Sequence, residues 1–234
     1  MNTIKDNAFE KISDDFEVLA GLTIQQMKSL SKVLLLNKSS IPEGLLNKMI
    51  EKENRLDELE VKISRRIVNF IVMHQPMASE LRNIMASYRM ITNLERIGDL
   101  VMKAVGLITK TSDTDLLTKN AKHINKMLIM STKMLQKAII SFVNSDIDAA
   151  MWTIKNDAVV DTMNHKIIND LLESADFTEN SHQRIFNFMA VKSIISSIER
   201  MADHAAHIGE ASIYANAGED VRHTITTKAN KNKR

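Results

Sequence analysis

Four pairs of carboxylates stand four residues apart in this chain: Glu53 with Asp57, Glu95 with Asp99, Asp157 with Asp161, and Glu199 with Asp203. On a helix such residues are neighbours, and two like charges so placed cost it a few tenths of a kcal/mol, about 0.2–0.5. Partial burial adds a desolvation cost. A bound cation reverses both penalties, and carboxylate oxygens suit Mg²⁺, Mn²⁺, Ca²⁺ or non-haem iron. Metal ligation is therefore the chemistry these residues offer, with acid pairs from adjacent helices closing around an ion. His207, four residues beyond Asp203, is either a nitrogen ligand for that set or, as a lone histidine on a helix more often is, a partly exposed side chain. The competing reading is a solvated ionic lattice, since Arg96 and Arg200 stand three residues before Asp99 and Asp203.

The acids need helices to hold them, and the apolar residues supply the pattern. Phe9, Ile12, Phe16 and Leu19, then Ile124, Leu128, Leu135, Ile139 and Phe142, recur at three-and-four spacing. On a wheel with Leu81 at zero, Ile97, Ile108, Val101, Leu94, Val105, Ile91 and Met102 fill one arc. Glu95 and Asp99 fall on the shoulder of that arc, as do Glu199 and Asp203 beside Ile195, Ile198 and Met201. The line Leu46–Ile50 continues into Glu53 and Asp57, and the line Ile147, Ala150, Ile154 into Asp157 and Asp161. Breaks at 39–42, 75–76, 111–113, 144–146 and 176–181 predict six helices, over 4–38, 42–74, 77–110, 114–144, 146–175 and 181–216. Pro42 and Pro76 are expected at helix starts, where a missing N–H costs nothing.

The segment LERIGD at 94–99 returns as IERMAD at 198–203, an offset of 104 residues. The same offset carries Ile50, Glu53 and Asp57 onto Ile154, Asp157 and Asp161, and Leu81, Ile91 and Leu94 onto Ile185, Ile195 and Ile198. One helix triplet has been duplicated. The expected fold is all-α: two tandem, pseudo-symmetric three-helix bundles over 1–112 and 113–217, then a polar basic tail over 218–234 carrying Lys228, Lys231, Lys233 and Arg234, expected to be disordered. Acid pairs retained in both copies, where Arg89 and Ser193 have diverged, favour ligation over a lattice.

Composition agrees. The 234 residues are 44% hydrophobic and 26% charged, which excludes a disordered chain, while six glycines, two prolines and 4% aromatics leave too few turn and strand residues for a β or doubly wound fold. The absence of cysteine excludes disulfides, thiolate metal sites and cysteine nucleophiles and fits a reducing compartment. No secretion signal or membrane span is legible, so a cytoplasmic protein is expected. A net charge of +2 without a basic stripe argues against nucleic acid as a partner.

A carboxylate-bridged metal enzyme would need Glu-x-x-His on two helices, and only Glu179 with His182 has that spacing. No phosphate loop or nucleophile elbow is present, and acids stand where an anion would want donors. The 15 methionines are expected as core filler, with Met77, Met85, Met102 and Met201 as candidates for an adaptable partner surface.

Glu95-Arg-Ile-Gly-Asp99 and Glu199-Arg-Met-Ala-Asp203, with Gln75–Arg82 leading into the first and His204 following the second, resemble the PhoU family of phosphate-signalling proteins, whose mark is an E/D-x-x-x-D motif in the third helix of each of two three-helix bundles. The resemblance spans about residues 8–216. It implies a non-enzymatic cytoplasmic adaptor, often homodimeric, that couples the ATPase subunit of a phosphate ABC transporter to a phosphate-sensing histidine kinase. Such an adaptor represses the phosphate-starvation response and phosphate uptake, and touches the membrane only through its partners. It also implies iron, zinc, manganese or magnesium ions at the acidic motifs, in some members as multinuclear clusters. The family often places asparagine four residues beyond each aspartate; this chain has Lys103 and His207, and Lys103 weighs against full multinuclear loading of the first site.

Overall fold

The computed structural model describes residues 3–36, 41–111, 114–174 and 182–222. These form six helices and no strand: α1 (Thr3–Leu35), α2 (Glu43–His74), α3 (Ser79–Lys110), α4 (Thr114–Val143), α5 (Ile147–Ser174) and α6 (His182–Ala217). The ends fall within three residues of those expected. The breaks at Ser39–Ser40, at 112–113 and at 176–181, and the basic tail from 223 on, lie outside the described residues.

α1, α2 and α3 pack on one another, as do α4, α5 and α6. The two triplets are joined through α1 against α4 and α3 against α6. α2 and α5 each touch only the two helices of their own triplet, so they form the outer flanks. Long helices with an apolar stripe must bury it against a neighbour, and those with two neighbouring triplets bury more. α6 accordingly carries the longest row of buried residues, and Leu94, Ile97 and Val101 of α3 share one continuous core with its Ile198, Met201 and Ala205. Phe16 meets Phe142 edge-on at 5.4 Å across α1 and α4, and Ser31 Oγ donates to Asn125 Oδ1 at 2.6 Å across the same seam.

Several apolar repeat positions are not core. Ile50, Leu81 and Ile185 are exposed, as is Phe9, which lies against Phe70 at the rim. On α2 the buried line is Met49, Leu56, Leu59, Ile63, Ile67 and Phe70, and Ile50 stands one residue, ~100° of helix, off it. Leu81 and Ile185 sit in the opening turns of α3 and α6.

The prolines act outside the helices. Pro42 is the N-cap of α2, its carbonyl accepting from the N–H of Leu45 and Leu46. Pro76 lies in the α2–α3 corner between two left-handed residues, Gln75 (φ 43°) and Ala78 (φ 48°). Because proline restricts the residue before it away from the right-handed helical region, α2 must end at that point. Between α4 and α5, Ser145 (φ 55°) turns the chain and Asp146 Oδ1 accepts from the N–H of Ala149 at 2.9 Å, capping α5.

Candidate metal centres

In the first triplet Glu53 and Asp57 of α2 face Glu95 and Asp99 of α3. The approach is close because residue 98 is glycine: a Cβ there would stand 2.9 Å from Leu56 Cδ1 and 3.0 Å from Glu53 Oε2. From α1, the buried Gln26 donates its Nε2 to Glu53 Oε2 at 3.1 Å and to the Met49 carbonyl at 2.9 Å. One side chain thus ties the glutamate to its own helix. Burial pushes the Glu53 carboxyl up to about 7, with Asp57, Asp99 and Glu95 adding to the rise and Gln26 opposing it. Burial and the Asp99 charge also raise Asp57 and Glu95, while Arg96 holds Glu95 back.

The second triplet draws its acids tighter. Asp157 and Asp161 of α5 and Asp203 of α6 each present one carboxylate oxygen within 4.8 Å of the other two, the one such group of three among the described residues. Burial and the neighbouring Asp203 and Asp161 push Asp157 up to about 7. Asp203 is raised by burial and Asp161, against the pull of His207 and Arg200. Glu199 is raised by burial, Asp203 and Asp161. Asp157 Oδ1 is buried with no hydrogen-bond partner. An orphaned buried oxygen among like charges is costly, and a proton shared with Asp203 or a bound divalent or trivalent cation would satisfy it.

The oxygen-rich donor set fits a hard cation. Asp157, Asp161 and Asp203 would hold it, with Glu199 and the exposed His207 at the margin, and the ion would neutralise the cluster and brace α5 against α6. In the first triplet Glu53, Asp57, Glu95 and Asp99 are gathered but no three of them meet so closely, and Asp99 is largely exposed. The two sites therefore differ: Glu53 opposite Gly98 has become the shorter Asp157 opposite the buried Ala202.

Three contributors were not legible as site residues. Gly98 looked like any motif position, and Gln26 carries no sequence signal, because its partners lie on another helix. His165 stands four residues beyond Asp161, a spacing that places it on the same face. Its Nδ1 lies 2.7 Å from the Asp161 carbonyl, where an N–H donates, and its ring is near enough to Glu199 to lower that carboxyl. The ionic-lattice reading holds for one arginine: Arg96, mostly exposed, forms ion pairs at 3.7 Å with both Glu95 and Asp99, too long for hydrogen bonds, while among the described residues Arg200 forms no ion pair with Asp203. Of the enzyme-like pair, Glu179 lies outside the described residues and His182 opens α6, roughly 25 Å along the helix from Glu199. Of the four methionines expected at a partner surface, Met77 is 78% exposed and Met85 37%, Met102 is half-buried, and Met201 is fully buried and cannot serve there.

Paired helical triplets with a carboxylate cluster in each define a class of tandem helical-bundle proteins. The PhoU domain family matches residues 17–106 and again 124–212, and the chain belongs to that family. The chain is 31% identical over 178 residues to a phosphate-specific transport system accessory protein PhoU homolog of a Burkholderia species, covering 75% of this chain and 74% of that one. It is 31% identical over 192 residues to the corresponding homolog of Aquifex aeolicus, covering 80% and 82%. These relatives are named as accessory proteins and not as catalysts. The crystal structure of PhoU from Pseudomonas aeruginosa shares the fold at a TM-score of 0.80 and 24% identity, over 92% of this chain and 99% of that one. That of the phosphate transport system regulatory protein PhoU from Streptococcus pneumoniae does so at 0.77 and 20%, over 93% and 99%.

Proposed function

We propose that this chain is an accessory protein of a phosphate-specific transport system, acting as an adaptor without turnover. It couples the transporter's ATPase subunit to a phosphate-sensing histidine kinase and represses both the starvation response and phosphate uptake when phosphate is plentiful. It works in the cytoplasm as a homodimer, its two halves, 1–112 and 113–217, being the functional units. The observation that carries this reading is the family match in both halves together with the naming of the relatives. Among the described residues no helix is long and apolar enough to cross a membrane, which suits attachment through partners.

In this reading carboxylate-bound metal, whether iron, zinc, manganese or magnesium, shapes the docking surface. Asp157, Asp161 and Asp203 form the stronger site, supported by Glu199 and His207, and Glu53, Asp57, Glu95 and Asp99 the weaker one. Deleting the gene and following a phosphate-starvation reporter in phosphate-replete medium tests the role. Constitutive expression, returned to low by the wild-type copy, is expected; unchanged expression would overturn it. Metal analysis of purified protein tests the sites: Asp157→Asn with Asp203→Asn should lose most of the bound metal, and Glu95→Gln with Asp99→Asn a smaller share.

A further inference from the structure

Between the acidic pockets lies a recess of the opposite character. Arg96, Asp99, Leu100 and Lys103 of α3 and Arg200 and His204 of α6 line a cavity of about 430 Å³. Arg96 and Arg200 are equivalents under the 104-residue repeat, as are residues 100 and 204. The recess therefore sits where the duplicated helices meet, and neither triplet alone contains it. Three formal positive charges face one carboxylate. Arg96 makes only the long 3.7 Å approaches to Glu95 and Asp99, and among the described residues no hydrogen bond or ion pair engages Arg200 or Lys103. Their donors are unspent. The His204 ring is fixed at the wall by Asn93 Oδ1, 2.8 Å from its Nδ1.

Each guanidinium presents five N–H donors in a planar fork that matches two oxygens of a tetrahedral anion, and a lysine adds a point charge. A cavity of this size is in the range of small-molecule sites, ~300–1,000 Å³. Arg96 keeps only its 3.7 Å ion pairs with Glu95 and Asp99, and Arg200 lies in the field of Glu199 and Asp203 with no hydrogen bond, so an anion entering the recess meets guanidinium donors that no acceptor occupies. We propose that this recess binds a tetrahedral oxyanion of the phosphate class, gripped by Arg96 from one half and Arg200 from the other, with Lys103 beside them. The occupant is inorganic phosphate or the phosphate group of a small phosphorylated metabolite. Because the grip spans α3 and α6, occupancy fastens the two halves across their seam. Lys103 adds its point charge to this grip. This inference goes beyond the accessory role and does not depend on it, since it is read on the isolated chain.

The test is equilibrium dialysis of the full-length protein against radiolabelled inorganic phosphate at low ionic strength, with a chelator present so that metal-bound phosphate is not counted. Saturable binding of one anion per chain is expected. Arg96→Gln with Arg200→Gln should weaken it about tenfold or more, and Arg200→Lys by less, because the charge stays while the fork is lost. Unchanged circular dichroism and melting temperature establish that these exposed substitutions leave the fold intact. Adenosine monophosphate run in parallel separates the sources. Tighter binding of the nucleotide, lost in the same double variant, assigns a phosphorylated metabolite, and tighter binding of phosphate assigns the free ion. No saturable binding of either probe up to about 10 mM, or equal affinity in the double variant, overturns the proposal. The reporter experiment above fails or succeeds separately from it.

Discussion

Gly98 leaves the space that the Leu56 Cδ1 and the Glu53 carboxylate of α2 occupy against α3, because any Cβ there meets both. Gly98→Ala should therefore destabilise the protein by about 1–3 kcal/mol, the usual cost of overpacking, and displace Glu53 from Gln26. Urea unfolding measures the first effect, and metal content of the first site the second. Protonation gives a further residue-scale expectation. Glu53 and Asp157 titrate at about 7 in the folded chain, against 4.5 and 3.8 unperturbed, so the native state holds protons that the unfolded chain has released. Their contribution to stability is full below the unfolded values and is lost as pH rises to about 7. Chelator-treated protein should melt a few degrees lower at pH 8 than at pH 5, and Glu53→Gln with Asp157→Asn should flatten that slope. A bound metal reverses the sign, because it displaces the protons and binds more tightly as pH rises.

At the scale of the element, the corners fix how the acid-bearing helices are presented. Asp146 ends the turn after α4 and caps α5, its Oδ1 on the Ala149 N–H and its own N–H on the Ser141 carbonyl. α5 carries Asp157 about three turns and Asp161 about four turns later, so the cap sets the start of the helix that brings them to Asp203. Asp146→Ala should cost about 1 kcal/mol, read as a lower urea midpoint with an unchanged slope. The same scale explains the two prolines. Expected where helices begin, they stand just outside them, Pro42 at the N-cap of α2 and Pro76 in the corner before α3, because backbone hydrogen bonding, which spacing does not report, decides where a helix begins.

Over the whole molecule the two triplets share one core through α1 with α4 and α3 with α6, and the halves should unfold together. The single tryptophan makes this measurable. Trp152 lies on α5 with Lys133 and Lys137 at 5.0 and 5.5 Å from its ring centroid, so its fluorescence follows the second half while far-ultraviolet circular dichroism follows both. Coincident urea transitions by the two probes are expected. A tryptophan transition that separates from the dichroism would mean that the halves are independent.

The sequence by itself determined six helices, their duplication and the gathering of four acid pairs on the shoulders of their stripes. All of these follow from spacing along one helix, where 3.6 residues per turn fixes which side chains share a face. The wheel placed Ile91, Leu94, Ile97, Val101 and Val105 correctly in the core for that reason. Distances between helices have no such rule. Only the tertiary structure decided that Asp157, Asp161 and Asp203 converge more closely than their first-half counterparts, that Gln26 reaches Glu53 from α1, and that Arg96 and Arg200 meet in one recess. Each of these depends on how near two helices come and how they are turned, which is set by the packing of side chains such as Leu56 against Gly98 and not by the periodicity of either strand of sequence alone.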